Sequence, residues 1–266
     1  MGRAFAQRFA EEGMKVVLAD IEDGALERAV GELRTAGHDV LGVRTDVSRP
    51  EAVRHLAEAA LSAYGKVHVV CNNAGVEGYL DGPIWEATDK DWEWTFGVDY
   101  WSVVHGMRTF LPILLGQGEE GHMVNTSSMT AVVRAANMYG VAKHAVLALT
   151  ETIYGHLRER GARVGVSALV PGIIATRIFQ GSRNRQPELR NESQPPGAAR
   201  GQAMRQMMHE RLQAGMAPSE VAEILVQGIR ADRLYILTDL NWQDRIDGRH
   251  MDILNGTNPE VARLDG

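Results

Sequence analysis

Apolar residues recur along this chain in two alternating rhythms. Ala4, Phe5, Phe9 and Ala10 fall at helical spacing, and Gly13 follows where a helix over 3–12 would stop. The run from Lys15 to Asp20 is continuous, apolar and closed by an acid, the pattern of a buried strand. The rhythm then repeats: a helix over 24–36 closed by Gly37, a strand over 40–47, a helix to Tyr64 stopped by Gly65, and a strand over 67–71. Ser48 is the expected cap of the helix that has Pro50 in its first turn and Glu51 at its third position. A long helix over 89–115, a strand ending at Asn125, a helix carrying Tyr139 and a strand over 164–169 follow. Residues 180–202 break the rhythm, with Pro187, Pro195, Pro196 and Gly197 among polar residues, and read as a mobile loop. Helical spacing returns over 204–216 and 219–229, and a last strand covers 234–238. Strand and helix alternate about every 25 residues, as in a doubly wound parallel sheet with helices on both faces. The fold class is therefore α/β. No linker divides the chain, so 1–266 reads as one domain, with a lid at about 177–217 over the substrate side.

Composition narrows the function. Hydrophobic residues make up 44% of the 266, enough for a sizeable core. The net charge of −6, with no basic run, argues against nucleic acid as a partner. No apolar run reaches membrane-spanning length, and the first five residues lack signal-peptide character, so a cytoplasmic protein without a membrane partner is expected. Cys71 is the only cysteine and sits in an apolar strand, which reads as core. No metal site is expected.

The ends of the strands carry the chemistry. In open parallel sheets ligands bind beyond the carboxyl ends of the strands. Here those ends read Asp20, Asp46-Val47, Asn72-Asn73-Ala74-Gly75, Ser127-Ser128 and Pro171-Gly172-Ile173-Ile174-Ala175-Thr176. Tyr139 and Lys143 stand four apart on a helix and share one face. An ammonium beside a phenol stabilises the phenolate and lowers its pKa, which would make Tyr139 an acid/base near neutral pH. Ser128 is placed to bond the reacting oxygen. Asp20 could bond a ribose 2′-hydroxyl and repel a 2′-phosphate, which favours NAD over NADP; a helix cap is its plainer role. No arginine follows Asp20 within two positions.

In this order, Asn72-Asn73-Ala74-Gly75, the Ser128/Tyr139/Lys143 set and Pro171-Gly172-x-x-x-Thr176 resemble the short-chain dehydrogenase/reductase family, from Gly2 to about Leu237. The resemblance implies a Rossmann-type oxidoreductase that interconverts an alcohol and a ketone or aldehyde by hydride transfer with a nicotinamide. It makes Tyr139 the acid/base, Lys143 its partner and a ligand of the nicotinamide ribose, and Ser128 the group that polarises the substrate oxygen. It assigns Asp20 to the adenosine ribose, Asp46 and Val47 to adenine, and Asn73, Ala74 and Gly75 to the cofactor wall. Pro171 and Gly172 form the turn beside the nicotinamide, whose carboxamide Ile174 and Thr176 would meet.

Three departures from the family pattern stand out. Its glycine-rich phosphate turn is represented only by Gly2, and the strand before that turn is absent. That strand would lie between those at 15–20 and 67–71. The expectation is that Met1 is internal to a Gly-Met-Gly turn and that the natural chain starts roughly 12–18 residues earlier, long enough for one strand. The family's catalytic Asn falls on Asp99, whose carboxylate would oppose a lowered tyrosine pKa. The Ser128–Tyr139 loop is two residues shorter than is common. A rival reading is a weakly active or non-catalytic dinucleotide-fold protein that binds a partner. Met129, Val133, Tyr79, Ile178 and Phe179 suggest an apolar substrate pocket, with ordinary core the plainer reading. The arginines of 177–211 offer either a solvated face or a contact with an anionic substrate. Apolar residues on several sides of the 89–115 and 140–157 helices suggest a homodimer or homotetramer.

Overall fold

The computed structural model describes residues 1–193 and 195–260, so Gln194 and 261–266 of the expected domain lie outside the described residues. The first half runs α1 (Gly2–Glu11), β1 (Val16–Asp20), α2 (Asp23–Thr35), β2 (Val40–Arg44), α3 (Pro50–Tyr64) and β3 (Val69–Asn72). Then come α4 (Asp89–Phe96), α5 (Ser102–Gly116), β4 (Gly121–Thr126), α6 (Met138–Glu159) and β5 (Val164–Val170). The chain continues through α7 (Ala198–Gln213), α8 (Pro218–Arg230), β6 (Tyr235–Leu237) and α9 (Gln243–Asn255).

Every ladder is parallel. β1 pairs with β2, and β3, β4, β5 and β6 pair in that order. Among the described residues no ladder joins β1 to β3. Successive strand residues face opposite sides, and both sides are covered, hence the near-continuous apolar runs. Met123 packs with Phe110, Leu114, Ile153 and Leu157 on one face, while Val124 packs with Phe5, Val221 and Leu225 on the other. Helix α1 spans the division: Phe5 joins the four-strand core, and Ala6 joins Leu26, Val30 and Leu33 over β1 and β2.

Several expectations are corrected. Strand β2 ends at Arg44, not Val47, because Asp46 turns the chain by accepting from the Ser48 amide (3.0 Å) and hydroxyl (2.6 Å). That hydroxyl is then unavailable as a cap, and Arg49 stands at the start of α3 with no side-chain cap. The 89–115 helix is two α-helices joined by a π-helical turn, Gly97–Trp101. The 180–202 segment is not an open loop: it holds two short 3₁₀ turns, Ile178–Asn184 and Pro187–Leu189, and the start of α7. Helix α9, absent from the sequence reading, buries none of its residues fully, though Ile246 packs against the core beside Trp242.

Candidate active site

A polar ladder fixes the carboxyl end of β4. Asn72 Nδ2 donates to Asn125 Oδ1 (2.8 Å), and Asn125 Nδ2 donates to Thr150 Oγ1 on α6 (3.1 Å). Helix α5 lies so close that a Cβ on Gly106 would come within 2.0 Å of Asn72 Oδ1. Ser127 Oγ donates to the carbonyl of Lys143 (2.8 Å), and Lys143 Nζ donates to the carbonyl of Thr126 (3.1 Å). Asn137 caps α6 by accepting from the Gly140 amide (2.9 Å), which starts the helix at Met138, one residue before Tyr139. One turn on, Lys143 Nζ lies 5.5 Å from the centre of the Tyr139 ring. Ser128 accepts from the Thr130 amide (3.2 Å), and its hydroxyl also reaches the Tyr139 phenol. The expected set of Ser128, Tyr139 and Lys143 is thus brought together.

The π turn adds Asp99. A π turn inserts a residue into the helix and re-aims its side chains, often at functional sites. Asp99 is fully buried, with Oδ1 3.6 Å from Lys143 Nζ and accepting from the Val76 amide (2.9 Å). Its Oδ2 has no partner among the described residues. Gly75 passes so close that a Cβ would sit 3.1 Å from Asp99 Oδ1 and 3.5 Å from Lys143 Nζ.

Burial dominates the electrostatics. It pushes Asp99 up to about 6, although Lys143 and the Val76 amide pull the other way. It lowers the Lys143 pKa, against the attraction of Asp99. Burial and then the Asp99 charge push the Tyr139 phenol above its ordinary value, with Ser128 pulling it back. The Tyr139 phenol therefore stands above its ordinary value, not below it as expected, because burial and the Asp99 charge outweigh the pull of Ser128.

The remaining strand ends form one edge. Asp20 Oδ1 accepts from the Glu22 amide (2.9 Å), and the side chain is exposed. Asp46 Oδ2 accepts from Gln186 (2.9 Å), and the Val47 carbonyl is met by His105 (3.2 Å). Gly2 meets the Asn73 side chain, 3.1 Å from a Cβ position, and Asn73 Oδ1 is buried without a partner among the described residues. Ala74 is exposed and Pro171 is buried. The Gly172 amide donates to Thr238 (3.0 Å). The Ile174 side chain joins the core, which leaves only its backbone to face a ligand. The Thr176 carbonyl accepts from Gln213 (3.1 Å). A cleft of about 590 Å³ opens beside this turn, lined by Ile173, Ile174, Arg211, Gly215 and Asp239. Ser128, Tyr139 and Lys143 are not part of its lining.

The arginines of the 177–211 segment do not form a plain solvated face. Arg185 bonds Asp91 (2.7 Å) and lies 5.0 Å from the centre of the Trp94 ring. Asn191 bonds both oxygens of Asp91 (3.1 and 3.2 Å), and Arg205 bonds Asp81 (2.8 Å). Arg49 reaches Glu188 (2.8 Å) from the other side. The sequence reading missed Glu77, whose buried carboxylate accepts from the Ser182 amide (3.2 Å), with Arg205 Nε 3.7 Å away. Burial raises its pKa, against the pull of those donors. Its signal was an acid in the otherwise apolar stretch after Asn-Asn-Ala-Gly.

The short chain dehydrogenase model matches residues 1–187. The chain belongs to the short-chain dehydrogenase/reductase family. A crystal structure of a family member from Burkholderia phymatum in complex with NAD superimposes with a TM-score of 0.94 at 43% identity, covering 98% of this chain and 93% of that one. The 1-deoxy-11-beta-hydroxypentalenate dehydrogenase of Streptomyces exfoliatus is 32% identical over 95% of this chain and 84% of its own. The C alpha-dehydrogenase of Sphingobium sp. is 29% identical over 100% of this chain and 86% of its own. This short-chain dehydrogenase/reductase is an oxidoreductase. Among its described residues no helix is long and apolar enough to cross a membrane.

Proposed function

We propose that this short-chain dehydrogenase/reductase interconverts an alcohol and a ketone or aldehyde, with NAD in preference to NADP. The observation that carries the reading is the convergence of Ser128, Tyr139 and Lys143 at the carboxyl end of β4. The residues present fit a dinucleotide. Lys143 has three donor hydrogens, and its contacts with Thr126 and Asp99 leave one for a ribose hydroxyl. Asn73 Oδ1 is a buried acceptor awaiting a donor, and the start of α1 has no side-chain cap to compete with a phosphate. The NAD-bound Burkholderia relative supports the same cofactor.

When bound, the nicotinamide supplies or accepts the hydride. Ser128 donates to the substrate oxygen and orients it. Tyr139 gives its phenolic proton to that oxygen in reduction and recovers it in oxidation. Lys143 holds positive charge beside the site, and Asp99 holds Lys143. Asp20 receives the adenosine ribose, and Gly2, Asn73, Ala74, Gly75 and Gly172 line the cofactor. Met129, Val133 and Tyr79 are buried, and Met129 packs with Ala168 and Val170, so they serve as core. The domain works as one unit with a lid at about 177–217. We extend the reading to a cytoplasmic homodimer or homotetramer, supported by Trp101 and Val141, which are 49% and 39% exposed beside α5 and on α6.

A panel of secondary alcohols with NAD, and of ketones with NADH, tests the reading through the absorbance of the reduced cofactor. Turnover of one series, at least about tenfold better with NAD than with NADP, is expected from a carboxylate at the ribose. No turnover and no NAD binding would reject it.

A further inference from the structure

The end of β1 carries a second acid. The Glu22 amide donates to Asp20 Oδ1 (2.9 Å), which seats Glu22 directly beside the residue assigned to the adenosine ribose. The lid reaches this corner from far along the chain. Arg183 Nε lies 2.5 Å from Glu22 Oε1, across 161 positions of sequence. Asn184 and the Arg177 charge act on the Glu22 carboxylate in the same direction. These contacts, the Arg183 bond foremost, hold the Glu22 carboxyl below the usual range. A second strap lies alongside: Gln186 donates to Asp46 Oδ2 (2.9 Å). The lid therefore spans the adenosine end of the cofactor edge as well as the substrate side.

A guanidinium in this corner is a paradox for a site that prefers NAD, because arginine is the side chain best shaped to hold a phosphate. The pairing resolves it. Resting on the cofactor assignment above, we propose that Glu22 is a specificity-determining residue: it sequesters the lid's Arg183, so that the corner discriminates against a 2′-phosphate while the lid stays latched. Asp20 alone supplies one repelling charge. Glu22 supplies a second and keeps Arg183 occupied, as Asp23 does Arg44 (3.2 Å). Replacing Glu22 by glutamine removes a negative charge and releases the guanidinium at the same point.

Titrations of NADH and NADPH, read by nicotinamide fluorescence on the wild-type protein, Glu22→Gln and Glu22→Gln/Arg183→Ala, test this. The wild type should bind NADH at least about tenfold more tightly than NADPH. Glu22→Gln should bind NADPH at least about tenfold better than the wild type does, with a much smaller change for NADH. The double variant should lose most of that gain, because the guanidinium released by Glu22→Gln is then gone. Both side chains are partly exposed, so the fold should tolerate the changes. An unmoved NADPH affinity in Glu22→Gln would overturn the proposal. So would a gain that survives in the double variant, since Arg183 would then play no part. A wild type that binds neither cofactor would overturn the cofactor assignment and this inference together, whereas normal NADH binding with unmoved discrimination would overturn only the inference.

Discussion

Asp99 makes this site differ from a simple tyrosine–lysine pair. A carboxylate with no exposure, one orphaned oxygen and a lysine 3.6 Å away is costly to bury, and its pKa near 6 records that cost. Its charge also raises the phenol it neighbours. Asparagine keeps the shape and removes the charge. Asp99→Asn should therefore ease formation of the Tyr139 phenolate and move the acid limb of alcohol oxidation to lower pH, by roughly one unit. A pH profile of kcat checks this, and a limb that stays put or rises contradicts it. That Asp99 takes the place of the family's catalytic Asn was legible in the sequence. Its grip on the Val76 amide was not, because that contact depends on the π turn, and Gly97 to Trp101 carries no pattern that separates a π turn from ordinary helix.

At the scale of elements, the segment proposed as a lid, 177–217, shows how far local reading extends. Pro187, Pro195, Pro196 and Gly197 mark broken helix correctly, yet the segment is packed. Its partners lie far off in sequence: Gln186 meets Asp46 across 140 positions, and Arg205 meets Asp81 across 124. No periodicity encodes such pairs. By contrast, Gly65 ends α3 in the left-handed conformation (φ 78°), a requirement that glycine announces by itself. Gly197 is a close-approach glycine: a Cβ there would fall 1.5 Å from the Asp81 carbonyl oxygen. That atom is backbone and cannot rotate away. Gly197→Ala should push the start of α7 off the 76–82 loop and loosen the lid. Tryptic cleavage at the lid arginines should accelerate about tenfold or more, with little change in global unfolding, as local opening predicts. Equal cleavage rates in variant and wild type would show that the lid is not latched at this point.

For the whole molecule, the alternation of strands and helices was enough to give a parallel sheet covered on both faces. Among the described residues no ladder joins β1 to β3, and α1 carries the two parts through Phe5 and Ala6. Association is the property left to surface chemistry. Trp101 and Val141 expose apolar area beside α5 and on α6, and covering it in a symmetric contact would give a dimer or tetramer. Light scattering at micromolar concentration should give twice or four times the chain mass, and Trp101→Glu should lower it; a strictly monomeric mass contradicts this. The proposed activity rests on one hydroxyl. Tyr139→Phe removes that hydroxyl and leaves the ring packing beside Lys143, so folding and NADH binding should persist. The direct measurement is the rate of carbonyl reduction by Tyr139→Phe against the wild type, with NADH saturating in both. A fall of about 10³-fold, within the range for loss of a general acid, is the result this account predicts. Equal rates in the two proteins would contradict it.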